Sequence, residues 1–304
     1  FYKSFFIWRL KSIFLSFFCP WMSYTLYEAL KSRISWETFF SKNDISNIIY
    51  LTESPKIIDS IIFQKEGAKI SILYFSTTEV DMLEKHFIDK NISYSYEFMH
   101  MIADYFISSP FSFEWAKGQE NLINTYIPFG PVFSDSIRHA RNNKKIIKDN
   151  IGICNKKKLI TFFDNTVGIR GVLNELAYEN LLNSILKLCH TNSNKYYALK
   201  TKNDLDSLIN KLSPKINKLF LSLKQRKNFI YINQFSIDQF EAIGISDLVV
   251  SSPLSSIIFE SIAGLTRTLI YDPDNQYESH RTISNLFHNL RAHDYKSLEQ
   301  LIDF

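Results

Sequence analysis

Ser251, Ser252, Ser255 and Ser256 precede Glu260 within SSPLSSIIFE, and Glu260 is the only charged side chain between Asp247 and Arg267. Hydroxyls and the unpaired amides of a helix start can hold a phosphate, because both donate hydrogen bonds and the helix dipole is positive there. A carboxylate one turn further along could accept a pair of hydroxyls from a ribose. Set on a helix, Ser252, Ser256 and Glu260 stand four apart and share a face, with Ser255 beside them, while Ile257, Ile258 and Ile262 can face a sheet. Ser252 has the character of an N-cap, and Pro253 suits the first helical position, where its missing N–H is no loss. A face turned to water would usually carry Lys and Glu at several positions, so the shortage of charge favours a helix that lines a cleft. The combination suits a nucleotide.

A helix of that kind must be presented by a sheet. The apolar runs Leu248 to Val250 and Leu269 to Tyr271 bracket it as strands. Upstream, KLITFFDN, KYYALKT and NFIYIN read as strands, and VLNELAYENLLNSILKLCH, LDSLINKLSPKINKLFLSL and SIDQFEAIG as the helices between them. With DLVVSS and RTLIYDP, five strands alternate with helices, the pattern of a doubly wound domain. The N-terminal half repeats the alternation: ISNIIYLTES predicts a strand, SPKIIDSIIFQKEGA a helix stopped at Gly67, and KISILYFSTTEV the next strand. A helix near Met82 to Asp89, the runs ISYSYEF and ADYFISS, a helix over PFSFEWAKGQEN and the run INTYIPFGPV complete it. The polar, basic stretch from Ser134 to Lys158 reads as a connection, which places the boundary near 145. The expected fold is therefore α/β, with Rossmann-like domains over 1–145 and 146–304 facing across a cleft.

With 304 residues, 45% apolar and 22% charged, the composition is that of an ordinary globular chain with room for two cores. A net charge of +4 falls short of the concentrated basic face of a nucleic-acid binder, so nucleic acid is not an expected partner. Cys19, Cys154 and Cys189 form no pair of metal-site spacing, and a reducing cytoplasm fits them best. The opening on Phe1 rather than Met fits a piece of a longer protein. Within residues 1–40, FYKSFFIWRLKSIFLSFFCPW is dense in aromatics but interrupted by Lys3, Arg9 and Lys11, too soon for a membrane span of roughly 20 residues. It reads either as a helix lying in a membrane interface or as one that caps the first core.

FESIAGLTRTLIYD, Phe259 to Asp272, resembles the donor-binding signature of GT-B-fold glycosyltransferases, and the longer stretch around it is similar to that region in enzymes of bacterial surface-polysaccharide synthesis. The likeness runs in order through ITFFDNTVG and YYALKTKND, over roughly residues 158 to 280. It implies transfer of a sugar from a nucleotide-sugar donor to a glycan or lipid-linked acceptor, without a metal or other cofactor. Glu260 would then be the ribose ligand, and Ser252, Ser255 and Ser256 with their amides the phosphate cradle. Gly168 and Arg170 sit where the first C-terminal loop of such enzymes approaches the donor phosphates. LKTKND replaces the Lys-Pro-His-Pro-like element of many relatives, leaving Lys200 or Lys202 to neutralise a leaving phosphate.

An inverting enzyme also needs a base from the first domain; Glu79 is the leading candidate, ahead of His86, His100 and Glu114. The sequence lacks G-x-S-x-G and G-x-G-x-x-G, which weighs against a serine hydrolase and an NAD-dependent enzyme. Two alternatives stay open: a catalytically inactive GT-B scaffold in a polysaccharide assembly complex, and a nucleotide-sugar epimerase. The expected location is cytoplasmic, with peripheral contact to the inner face of the membrane.

Overall fold

The computed structural model describes residues 6–7, 10, 14, 20–51, 57–74, 102–108, 122–130, 133–167, 173–204, 212–233, 236–252, 255–274 and 288–304. The chain divides into two compact units between Gly130 and Pro131.

In the first unit, helix α1 (Pro20–Phe40) precedes strand β1 (Asn47–Leu51), helix α2 (Ile57–Lys65), and strands β2 (Lys69–Tyr74), β3 (Ile102–Ser108) and β4 (Leu122–Pro128). The four strands pair in parallel in chain order. Parallel strands need covering helices, and α1 and α2 supply one cover. Trp36 of α1 sets its ring edge-on against the fully buried Phe63 of α2, 4.6 Å between centroids, and Ser32 Oγ donates to Asp59 Oδ1 at 2.6 Å. The α2 helix stops where expected, at Gly67, whose φ of +85° is open to glycine at no steric cost. The helices predicted near 82–89 and over PFSFEWAKGQEN, and the run ISYSYEF, lie outside the described residues. Among the described residues no helix is long and apolar enough to cross a membrane.

The second unit begins with helices α3 (Ser134–Asn142) and α4 (Lys144–Asn150). Strand β5 (Lys158–Phe163), helix α5 (Glu175–Thr191), strand β6 (Lys195–Lys200), helix α6 (Pro214–Lys224) and strand β7 (Phe229–Ile232) follow. Helix α7 (Gln239–Ile245), strand β8 (Leu248–Ser251), helix α8 (Ser256–Ala263), strand β9 (Thr268–Tyr271), the short strand β10 (Arg291–Ala292) and helix α9 (Tyr295–Asp303) complete it. The parallel sheet has the order β10-β9-β8-β5-β6-β7, the Rossmann order. One face packs Phe162, Tyr197 and Val250 against α5, α6 and α9; the other packs Leu159, Phe163 and Val249 against α3, α7 and α8. β10, only two residues long, is a sixth strand that the apolar pattern is too short to show. Of the helix expected over 205–223, residues 205–211 lie outside the described residues; Leu212 and Ser213 are not helical and a helix runs from Pro214, because proline fits the first position of a helix and not its interior.

Residues 134–150, expected to connect the domains near 145, are instead two helices built into the second unit. Glycines admit α3 closely: a Cβ on Gly244 would stand 2.6 Å from both Ala140 Cβ and the Ile137 carbonyl, and one on Gly264 2.5 Å from Ile137 Cγ2. Arg141 then donates to the Gly264 carbonyl and, at 2.8 Å, to Thr266 Oγ1. In α4, Lys144 and the buried Lys148 meet Asp247 at 2.7 and 3.4 Å, while the Leu159 amide donates to the same carboxylate at 2.7 Å. The partners of these polar residues come from the strands and turns of the sheet, which is why their local pattern looks like a linker.

Gly244→Ala should lower the urea midpoint of the second unit, with a loss of about 1–3 kcal/mol from the overpacked contact with α3. Gly130→Ala, with nothing within 4 Å of the added methyl, should leave the midpoint unchanged. Equal midpoints for both variants would contradict the close docking of α3.

Candidate functional site

Strands β6 and β7 lie on one side of β5, and β9 and β10 lie beyond β8, so the winding direction reverses between β5 and β8. The loops leaving two such strands diverge to opposite faces and open a crevice at their carboxyl ends. A pocket of about 400 Å³ lies there, entirely within the second unit. The ends of β5 and β6 contribute Asp164, Asn165, Lys200 and Lys202 to its wall, and the starts of α7 and α8 contribute Gln239, Phe240, Ser255 and Ser256.

The helix starts around it differ in what their amides are doing. At α5, Asn174 Oδ1 accepts from the Ala177 amide at 2.8 Å. At α7, Asp238 accepts from the Glu241 amide at 2.7 Å and Glu241 accepts from the Asp238 amide at 3.0 Å, a complete capping box. Ser255, the N-cap of α8, makes no capping bond; its hydroxyl stands 2.9 Å from Ser251 Oγ. The Ser255 side chain therefore caps none of the first α8 amides, although the Ser255 carbonyl accepts from the Ile258 amide at 3.1 Å, and Ser255 and Ser256 stand on the pocket wall.

Helix α8 begins later than the sequence suggests. Ser252, the expected N-cap, continues β8 instead, donating its amide to the Phe163 carbonyl at 2.9 Å, because strand pairing with β5 claims that group first. Its hydroxyl is buried and has no hydrogen-bond partner among the described residues. Ser252 thus leaves the shared helical face, which keeps Ser256 and Glu260. Pro253 lies outside the described residues, as do Gly168, Arg170, Glu79, His86, His100 and Glu114.

Lys200 ends β6 with 6% of its surface exposed, and its Nζ lies 3.4 Å from the Asn233 carbonyl. Burial lowers its pKa, opposed by the charges of Asp238, Asp164 and Glu241. Lys202 reaches Asn165 Oδ1 at 3.2 Å. Asp164, directly after β5, was not singled out by the sequence reading, though an acid closing a mostly apolar strand is a legible signal. Its Oδ1 accepts from the Lys202 amide at 2.7 Å and its Oδ2 from Tyr178 Oη at 3.2 Å. Burial nonetheless pushes the Asp164 carboxyl up to about 7, with those bonds and the lysine charges pulling the other way.

Glu260 stands one layer behind the wall, 7% exposed and not among the lining residues. Burial pushes it up to about 7, opposed by a hydrogen bond from Ser256. Between it and the pocket stands Gln239, whose Nε2 lies 3.3 and 3.5 Å from the two carboxylate oxygens. Gln239 was invisible to sequence reasoning, because nothing in SIDQFEAIG distinguishes it from an ordinary first-turn residue.

Two α/β units with parallel sheets, the second in the Rossmann order with a helix start at its switch point that no side chain caps, fit the fold class expected from the sequence. The chain belongs to the polysaccharide biosynthesis PFTS motif protein family, whose model matches residues 8–302. Among solved structures it is similar to the wall teichoic acid polymerase TagF, at 16% identity and a TM-score of 0.54, over 85% of this chain and 63% of that one. A glycosyltransferase from Rickettsia africae matches at 16% identity and a TM-score of 0.50, over 90% of this chain and 70% of that one. A UDP-GlcNAc 2-epimerase from Neisseria meningitidis bound to UDP-GlcNAc matches at 12% identity and a TM-score of 0.55, over 91% and 73% of the two chains. At these identities the likeness is one of fold. This chain spans 63% of the length of the teichoic acid polymerase. A comparison with curated protein sequences gives no match.

Because the folded protein holds the Glu260 proton more tightly than an unfolded chain with a carboxyl near 4.5, this residue lowers stability as pH rises from about 4.5 to about 7, and fully above that. Glu260→Gln should therefore be more stable than the wild type at pH 8, by about 1–3 kcal/mol, and nearly equal to it at pH 5. Urea unfolding at both pH values tests this; a difference that does not change with pH would refute the buried, proton-holding carboxyl.

Proposed function

We propose that the protein is a glycosyltransferase of surface-polysaccharide synthesis that moves a sugar from a nucleotide-sugar donor to a glycan or lipid-linked acceptor. The observation that carries this reading is the uncapped, serine-lined start of α8 at the switch-point pocket, with Lys200 on the opposite strand end. The donor's phosphates would meet the α8 amides and the hydroxyls of Ser255 and Ser256. Lys200 would sit beside the leaving phosphate, and the nucleoside would lie toward Gln239 and Glu260. Family membership and a fold shared with a glycosyltransferase and with an epimerase bound to UDP-GlcNAc support a nucleotide-linked substrate.

The chemical demand is stabilisation of negative charge on the departing phosphate. The helix dipole, oriented amides and one largely buried ammonium supply it without a metal ion, and they supply it best in a site sheltered from water. Buried Lys200 has few water contacts to lose when an anion arrives, so little of the attraction is spent on desolvation. Glu79 remains the proposed base for the acceptor hydroxyl.

Calorimetric titration of UDP, GDP, CMP, CDP and ADP into the wild type should find one nucleotide that binds, and Lys200→Ala should weaken it by about 1–3 kcal/mol, the range for a hydrogen bond to a charged group. If no nucleotide binds a protein shown by circular dichroism to be folded, the inactive scaffold becomes the better reading.

The basic aromatic N-terminal segment is proposed to rest on an anionic membrane surface, where a lipid-linked acceptor resides. Phe6, Ile7 and Leu10, helical and exposed, support this. In flotation with vesicles containing phosphatidylglycerol, the full chain should float and a form lacking residues 1–21 should stay at the bottom; equal flotation of both forms would sink the idea.

A further inference from the structure

The pair formed by Gln239 and Glu260 divides its work in a way that spacing in the sequence does not suggest. Glu260 is nearly enclosed, and its two oxygens already face the Gln239 amide at 3.3 and 3.5 Å. Gln239 is half-buried and forms part of the pocket wall. An ionised carboxylate has no proton to give, so it accepts only, and the amide beside it must turn its NH₂ inward and its carbonyl oxygen away. Gln239 Oε1 makes no hydrogen bond to another described residue, which leaves a neutral acceptor of fixed direction on a wall that carries donors, the Ser255 and Ser256 hydroxyls and Lys200, together with the carboxylates of Asp164 and Asp238.

We propose that Gln239 is the side chain that accepts a hydrogen bond from a ribose hydroxyl of the donor nucleotide, and that Glu260 is a positioning residue that fixes the Gln239 amide. This rests on the nucleotide-donor reading and departs from a direct contact between Glu260 and the ribose. The arrangement gives specificity for a reason of electrostatics. A neutral amide oxygen accepts from a hydroxyl without adding a further negative charge to a wall that already holds Asp164 and Asp238, while the carboxylate behind it strengthens that oxygen as an acceptor by holding the amide dipole in line. The helix start of α7 keeps Gln239 in place, since its capping box fixes the backbone at Asp238.

The test is a binding ratio measured at pH 8, above the value of about 7 to which burial raises Glu260. Whichever ribonucleotide binds the wild type is compared with its 2′-deoxy and 3′-deoxy counterparts in the wild type, Gln239→Ala, Glu260→Ala, Glu260→Gln and the double alanine variant. The wild type should prefer the ribonucleotide to at least one deoxy form by about tenfold. Gln239→Ala should bring that ratio to about one while leaving the affinity for the deoxy form unchanged, which general damage to the fold would not do. Glu260→Ala should reduce the ratio, Glu260→Gln should restore most of it because its carbonyl can still accept from the Gln239 NH₂, and Glu260→Ala should have no further effect in the Gln239→Ala background. A ratio that survives Gln239→Ala and collapses only in Glu260→Ala would overturn the assignment in favour of a direct carboxylate contact. A wild type that binds all three forms equally would overturn it as well. If none of the nucleotides binds, the donor reading falls, and this assignment falls with it.

Discussion

The parallel pairing of β5 with β8, from Ile160 opposite Leu248 to Phe163 opposite Ser251, is the constraint on which the site depends. These strands are far apart in the chain, and joining them reverses the direction in which the sheet is wound. One more backbone bond, from the Ser252 amide to the Phe163 carbonyl, extends the pairing past the end of the strand. It decides where α8 can begin, and so which serines sit on the helix start and which are absorbed into the sheet. A shift of a single residue in this register would exchange the two faces of β8 and carry the pocket wall with it.

Around that junction the second unit places polar groups where their burial is unfavourable. Asp164 and Glu260 are both nearly enclosed and both hold their protons up to about 7, and Lys200 is buried with only a distant carbonyl partner. A core assembled only for stability would put apolar side chains in such positions. A carboxyl and an ammonium retained on the wall of one pocket, with a second carboxyl one layer behind it, are groups kept against stability, as at a candidate functional site.

The docking of α3 and α4 shows the reverse economy. Both helices look like a linker because their exposed faces are polar and basic, yet Ile137 and Ala140 are buried and the glycines opposite them, Gly244 and Gly264, allow α3 to approach closely. Lys148 would be an unfavourable buried charge anywhere else; here Asp247 accepts from it and from Lys144 and the Leu159 amide together. The result is a rigid backing for α7, whose Phe240 stacks on Phe133 at 4.3 Å and whose first residue is Gln239.

By itself the sequence determined the alternation of strands and helices, the parallel sheets, the stop at Gly67 and the serine-rich start of α8, because these follow from apolar periodicity and from the backbone preferences of glycine and proline. It determined the presence of Glu260 near the site, since one carboxylate in a long uncharged stretch is visible without coordinates. Tertiary structure alone decided that Ser252 belongs to the strand, that residues 134–150 belong to the second unit, and that Gln239 stands between Glu260 and the pocket. Each of these depends on a partner distant in the chain: the Phe163 carbonyl for Ser252, Asp247 and the Gly264 carbonyl for α3 and α4, and Glu260 for Gln239. Local pattern records which residues prefer burial and which prefer hydrogen bonds; only the folded sheet chooses the groups that satisfy them.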